Sequence, residues 1–150
     1  MADMSAPTEC RLLYYSWISP ANGPGALADI LRESRERNLK EDITGLLAHD
    51  QRFFMQVLEG GIGPVNDLYA DLITDPRHYA LRLIGYEGIE SRLFPEWSMA
   101  MANIPGFSGR FVQAQYGGFD PRRFSCGVAT EYMEILRDHL KEGAGRVPKG

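Results

Sequence analysis

Short apolar runs and helical stripes follow one another along this chain in a fixed order, and that order constrains the fold more than composition does. Residues 12–18 (Leu-Leu-Tyr-Tyr-Ser-Trp-Ile) are aromatic and aliphatic, and short enough for a strand. Pro20 to Gly25 breaks the run. Leu27, Ile30 and Leu31 then recur at helical spacing within residues 26–38, and Ser34 and Asn38 continue the same stripe. A stripe that starts aliphatic and ends in Ser and Asn faces something polar at that end. Residues 43–48 and 53–59 read as strands joined by His49-Asp50-Gln51-Arg52, a four-residue hairpin loop. After Gly60-Gly61-Ile62-Gly63-Pro64, the residues Val65, Leu68, Tyr69, Leu72 and Ile73 mark a second amphipathic helix, with Pro64 suited to its first turn. Further strands are expected over 81–86 and 97–101.

Strand, helix, strand, strand, helix, strand, strand predicts an α+β fold. Its centre is a ferredoxin-like β-α-β-β-α-β core with a fifth strand and two helices on one sheet face. Residues 103–125, rich in Gly, Pro and aromatics, predict an irregular wrap. Val128, Tyr132, Ile135 and Leu136 mark a last helix ending near Gly143. The expected organisation is a core domain at 10–103, a wrap and helical extension at 104–143, and flexible termini at 1–9 and 144–150.

Composition removes several classes of function. The 150 residues carry a formal charge of −4 with no Lys/Arg-rich run, which argues against nucleic acid as a partner. No apolar stretch approaches the roughly 20 residues that span a bilayer, and residues 1–10 lack the regions of a secretory signal. Cys10 and Cys126 have neither metal-ligand spacing nor the density of a disulfide scaffold, which fits a cytoplasmic protein with reduced thiols. There is no phosphate-loop motif, no H-E-x-x-H, no C-x-x-C and no G-x-S-x-G, and His49, His78 and His139 are scattered. Hydrolytic or metal-dependent catalysis therefore has little to stand on.

The informative residues are those that break the local pattern. On the third strand Phe54, Gln56 and Leu58 share a face, and burying an amide there costs about 1–3 kcal/mol unless it finds partners. On the first strand Leu12, Tyr14 and Ser16 share a face, opposite Leu13, Tyr15 and Trp17. Taken singly, each has an ordinary explanation: a backbone-bonded Gln, a core Tyr with a satisfied hydroxyl, a capping Asn38. Together, placed where the first helix meets the sheet, Tyr14, Asn38 and Gln56 favour a polar heteroaromatic guest.

Five segments carry a resemblance: residues 11–14 (R-L-L-Y), 38–47 (N-L-K-E-D-I-T-G-L-L), 54–60 (F-M-Q-V-L-E-G), 75–78 (D-P-R-H) and 94–99 (F-P-E-W-S-M). In this order and spacing the chain resembles, over about residues 10–103, the BLUF domain, a blue-light sensor using FAD. The resemblance implies a flavin held noncovalently between the two helices, with Tyr14 and Gln56 as the photoactive pair. It implies that Asn38 holds the polar edge of the flavin ring, that Ile30, Leu47, Phe54 and Leu72 pack on it, and that Arg77 and His78 reach the phosphates. Trp97 and Met99, read as sharing a face of the fifth strand near Gln56, become the signal relay. Asp71 is a departure, since relatives often carry Arg or His there on the phosphate side. Arg37 is placed to compensate, and FMN or riboflavin stand beside FAD as candidates.

A photosensor without an enzymatic effector in this chain implies a downstream protein partner. The apolar stripe from Val128 to Leu136 suits either self-association into a homo-oligomer or docking on the sheet's free face. The competing classes are a flavin-dependent redox enzyme, a non-photoactive flavin-binding protein, and an acylphosphatase-like enzyme. The last needs an anion-cradling loop with an Arg that residues 19–25 lack.

Overall fold

The computed structural model describes residues 5–107 and 116–144. The aromatic run forms strand β1 (Glu9–Ile18), and helix α1 (Ala26–Glu41) follows the glycine-rich break. α1 ends on Asp42, which takes a left-handed conformation (φ 53) and donates its backbone N–H to the Asn38 carbonyl. The hairpin is β2 (Thr44–His49) and β3 (Phe53–Gly61), then come α2 (Ile62–Ile73), β4 (His78–Ile89), β5 (Ala100–Asn103) and α3 (Cys126–Ala144). Short 3₁₀ turns lie at Ile104–Phe107 and Pro121–Arg123.

The sheet order is β4-β1-β3-β2-β5. β1 is antiparallel to β3 and β4, β2 is antiparallel to β3, and β5 adds parallel to β2. This is the expected core with its extra strand. β3 lies at the centre because both its faces are apolar. Phe54 and Leu58 join Leu12, Tyr14, Leu47, Val65 and Leu68 under α1 and α2. Phe53, Met55 and Val57 join Leu13, Leu46 and Ala48 on the other face. Each such side chain removed from water stabilises the fold by about 1.5–3 kcal/mol.

That other face is covered by α3. Its Ala129, Tyr132, Met133 and Leu136 are buried in the same cluster as Phe53 and Phe94. The apolar stripe of the last helix is thus used on its own sheet, the second of the two uses expected for it. Arg137 fixes the docking, with Nη1 donating to the Leu93 carbonyl at 2.6 Å and the guanidinium 5.7 Å from the Phe94 ring centroid. Lys141 and Glu96 add an ion pair at 3.1 Å.

Three boundaries differ from the sequence reading. β4 runs for 12 residues, because it pairs with β1 from Glu9↔Ile89 to Ile18↔His78 through a bulge near Ala80 (φ 53). Glu9 belongs to β1 rather than to a flexible terminus, and Thr8 already accepts a bond from the Ile62 N–H. β5 begins at Ala100, so Trp97 and Met99 lie in the segment leading into it. Part of the expected wrap (108–115) and of the two termini (1–4 and 145–150) lies outside the described residues.

Candidate functional site

Cross-strand register sets Tyr14 of β1 directly beside Gln56 of β3, with Leu47 of β2 next in the row. Strand alternation turns all three toward α1 and α2. The Tyr14 hydroxyl donates to Gln56 Oε1 at 2.5 Å, and both side chains are buried. Burial raises the Tyr14 pKa far above the ordinary phenol value, with Tyr69 and Asp75 adding to the shift. Tyr14 is therefore a neutral donor at any working pH. The amide's other end meets a poor partner: Gln56 Nε2 lies 3.4 Å from Met99 Sδ, and a thioether accepts weakly.

Around this pair is a small, partly open cavity lined by Tyr14, Ile30, Leu47, Phe54, Gln56, Leu72, Arg77 and His78, together with Ser34 and Asp75. It is narrow, about 30 Å³, but Ser34, Leu72, Asp75 and Arg77 also line an adjoining cleft of about 590 Å³ between α1 and α2. α1 is lightly held over this region. Its Leu27, Ile30 and Leu31 are only partly buried, and Asn38 is its one fully buried residue.

Asn38 is a helical residue rather than a cap, and its two polar ends are treated differently. Nδ2 donates to the Ser98 carbonyl at 2.8 Å, whereas Oδ1 is buried with no hydrogen-bond partner. One turn earlier, Arg35 Nε donates to the Met99 carbonyl at 2.9 Å. The Gly45 N–H donates to the Trp97 carbonyl at 3.1 Å. A side chain at position 45 would place its Cβ 2.0 Å from the Val57 carbonyl oxygen, so only glycine lets β2 pack here. Residues 97–99 are held on successive carbonyls by α1 and β2.

Two expected residues are placed differently. Met99 is fully buried against Gln56, while Trp97 packs with the cluster on the α3 side. They do not share a face, because the segment that carries them is not a strand and period-2 alternation does not apply. The His78 ring turns inward in this structure. It is buried, its ring centroid 6.1 Å from both Tyr14 and Phe54. Its Nε2 faces the Leu72 carbonyl and its Nδ1 the Ser16 hydroxyl, each at 2.7 Å. A carbonyl only accepts, so Nε2 carries the proton and Nδ1 accepts from Ser16. Desolvation lowers the His78 pKa, which agrees with a neutral ring.

Arg77 does stand at the cleft, but Nη1 pairs with Glu33 at 2.8 Å and Nη2 with Asp75 at 2.7 Å. Arg37 pairs with Asp71 across the helices.

The sequence reading missed the clip that orders the β4–β5 connection. Glu59, fully buried, accepts from Arg11 Nε at 2.8 Å and from the backbone N–H groups of Leu93 and Phe94 at 3.0 and 2.6 Å. Arg92 meanwhile pairs with Glu9 at 2.6 Å. Charged residues inside strand runs, Arg11 and Glu59, were the available signal. Tyr69, its ring centroid 5.7 Å from Tyr14, was read only as part of an amphipathic stripe.

Comparison with known proteins covers the stretch of chain that carries this site. A family model described as "Sensors of blue-light using FAD" (BLUF) matches residues 10–100. A photoactivated adenylate cyclase subunit beta of Euglena gracilis is 33% identical over 103 residues, covering 66% of this chain and 12% of that protein. A blue light- and temperature-regulated antirepressor of Escherichia coli K12 is 32% identical over 93 residues, covering 62% of this chain and 23% of that protein. The chain thus spans a small part of the curated relatives' length. Among solved structures, the dark state of the BLUF protein BlrB superposes with a TM-score of 0.75 at 25% identity, covering 89% of this chain and 98% of that one. The photo-activated state of BlsA gives 0.77 at 26% identity, covering 86% and 94%. No helix among the described residues is long and apolar enough to cross a membrane.

Proposed function

This chain belongs to the BLUF family of sensors of blue light using FAD, and from that premise we propose that it is a photosensory signalling protein, not an enzyme, whose working pair is Tyr14 and Gln56. The observation that carries this is the buried 2.5 Å hydrogen bond from the Tyr14 hydroxyl to Gln56 Oε1, facing the cavity under α1. The residues present fit a flavin ring. Asn38 Oδ1 is a buried acceptor without a donor, and the ring edge offers an N–H flanked by carbonyls. Ile30, Leu47, Phe54 and Leu72 supply apolar contact for its faces. The cavity is smaller than a three-ring system, so a bound ring would need lining side chains such as Ile30 and Leu72 to move, and α1, held by few buried residues, is the element able to yield.

Bound flavin supplies absorption of blue light and, once excited, a one-electron oxidant for a neighbouring phenol. The remaining chemistry belongs to this chain. Burial disfavours a charged phenol, so Tyr14 releases its hydroxyl proton together with its electron. Gln56 would take up that proton at Oε1 along the existing bond and give one up from Nε2 to the bound ring, so the amide stays neutral. When the proton and electron return to Tyr14, the Gln56 amide can settle in a new arrangement, because its Nε2 gives up only a weak bond to Met99 Sδ. A net hydrogen bond is worth about 0.5–1.5 kcal/mol, so the change only biases an element near balance.

Met99 is that element in this reading. Its carbonyl is tied to Arg35, the preceding Ser98 carbonyl to Asn38, and the segment continues to Glu96 and Leu93, which hold α3 through Lys141 and Arg137. A shift at Met99 therefore reaches the α3 docking contacts and, through them, a protein partner. The test is an absorption spectrum of the flavin-loaded protein before and after blue light. A reversible red shift is expected; a protein that takes up no flavin, or whose bound flavin shows no shift, sinks the proposal.

A further inference from the structure

The cleft outside the cavity holds five charged side chains, and every cation there already has an anion. Arg77 is shared between Asp75 and Glu33, and Arg37 is paired with Asp71. Three carboxylates against two guanidiniums leave the lining with a formal charge of −1. A flavin whose ring enters the cavity must send its ribityl chain out past Ser34, Leu72, Asp75 and Arg77, the residues common to cavity and cleft. Any phosphate on that chain arrives in this acidic mouth. It would have to take Arg37 from Asp71 or Arg77 from its two carboxylates, exchanging one anion for another and leaving a carboxylate unpaired beside it.

Resting on the flavin reading above, we propose that Asp71 is a specificity-determining residue. By occupying Arg37 it cancels the affinity a flavin phosphate would otherwise gain, so the ring and ribityl chain carry binding. Asp71 and Arg37 suit such a part, since their side chains are 65% and 41% exposed and can re-pair without disturbing the core. The pair also bridges α1 and α2, the two walls of the cleft. FAD remains a ligand; the phosphate contributes little to holding it.

Riboflavin and FMN differ only by one phosphate, so they read the effect directly. Apoprotein of the full chain is titrated with each, and with FAD, by quenching of flavin fluorescence at low salt. The native chain is expected to bind FMN and riboflavin within about twofold of each other, because an exposed ion pair exchanged for another is worth little. Asp71→Asn frees Arg37 and is expected to raise the FMN-to-riboflavin affinity ratio roughly fivefold, an increase that higher salt screens away. Arg37→Ala leaves Asp71 unpaired and is expected to lower the ratio by roughly the same factor. A native chain that binds FMN at least about tenfold tighter than riboflavin, or an Asp71→Asn ratio equal to the native one, overturns the proposal while leaving flavin binding intact. Failure of all three flavins to bind overturns the flavin reading itself.

Discussion

Replacing Tyr14 with Phe removes one oxygen atom from the site and nothing from its shape. Gln56 Oε1 then loses its 2.5 Å donor while remaining buried. A buried acceptor left without a partner costs about 1–3 kcal/mol. At ~3 °C per kcal/mol for a chain of this length, the melting temperature of the apoprotein should fall by ~3–9 °C. The ring still packs against Tyr69 and His78, so flavin should be retained. The red shift should vanish, because the variant has no phenolic proton to pass to Gln56. Gln56→Leu should abolish the shift as well. Combining the two should cost less than the sum of the single changes, since the apolar pair leaves neither partner stranded. The assays are thermal melts of the three variants and light-minus-dark difference spectra. A red shift of normal size in Tyr14→Phe refutes the assigned relay, and additive stability losses refute the hydrogen bond as its basis.

Asn38→Ala removes a buried acceptor that has no partner in the structure, and should weaken flavin affinity about tenfold by equilibrium dialysis; unchanged occupancy would count against its role. Glu59→Ala leaves Arg11 with Glu87 as its remaining partner and strips two backbone N–H groups of theirs, so unfolding free energy should drop by about 2–4 kcal/mol in a denaturant titration. A loss under about 1 kcal/mol would mean the clip is solvent-screened. Stability should also fall on mild acidification. Burial lowers the pKa of both His49 and His78, so below the unfolded value near 6.5 the unfolded chain binds protons that the folded chain refuses. The contribution is complete above that pH and is lost as pH falls below it. Melts at pH 7.5 and 5.5 should show the lower temperature at the acidic end, and a flat or reversed trend contradicts it.

The core order and the common face of Tyr14 and Gln56 were legible in the sequence because they follow from local rules. Period-2 alternation fixes a face, 3.6-residue spacing fixes a stripe, and a polar residue on an apolar face marks itself. The same rules failed where the backbone stops being regular. Trp97 and Met99 were assigned one face by alternation, but they lie before β5 and turn to opposite sides of the sheet. The resemblance set His78 with Arg77 toward the phosphates, whereas β4, starting at His78, carries its ring inward to Ser16 and Leu72.

What the amino-acid order determined, then, is which elements form and which side chains must be covered. Tertiary structure decided what covers them and which charges meet. α3 takes the free face of the sheet, although its apolar stripe served a second copy equally well in principle. Arg37 meets Asp71, and Arg77 meets Glu33 and Asp75. Such pairings join residues far apart in the chain, and Coulomb attraction depends on where the fold sets two charges, not on how many residues lie between them.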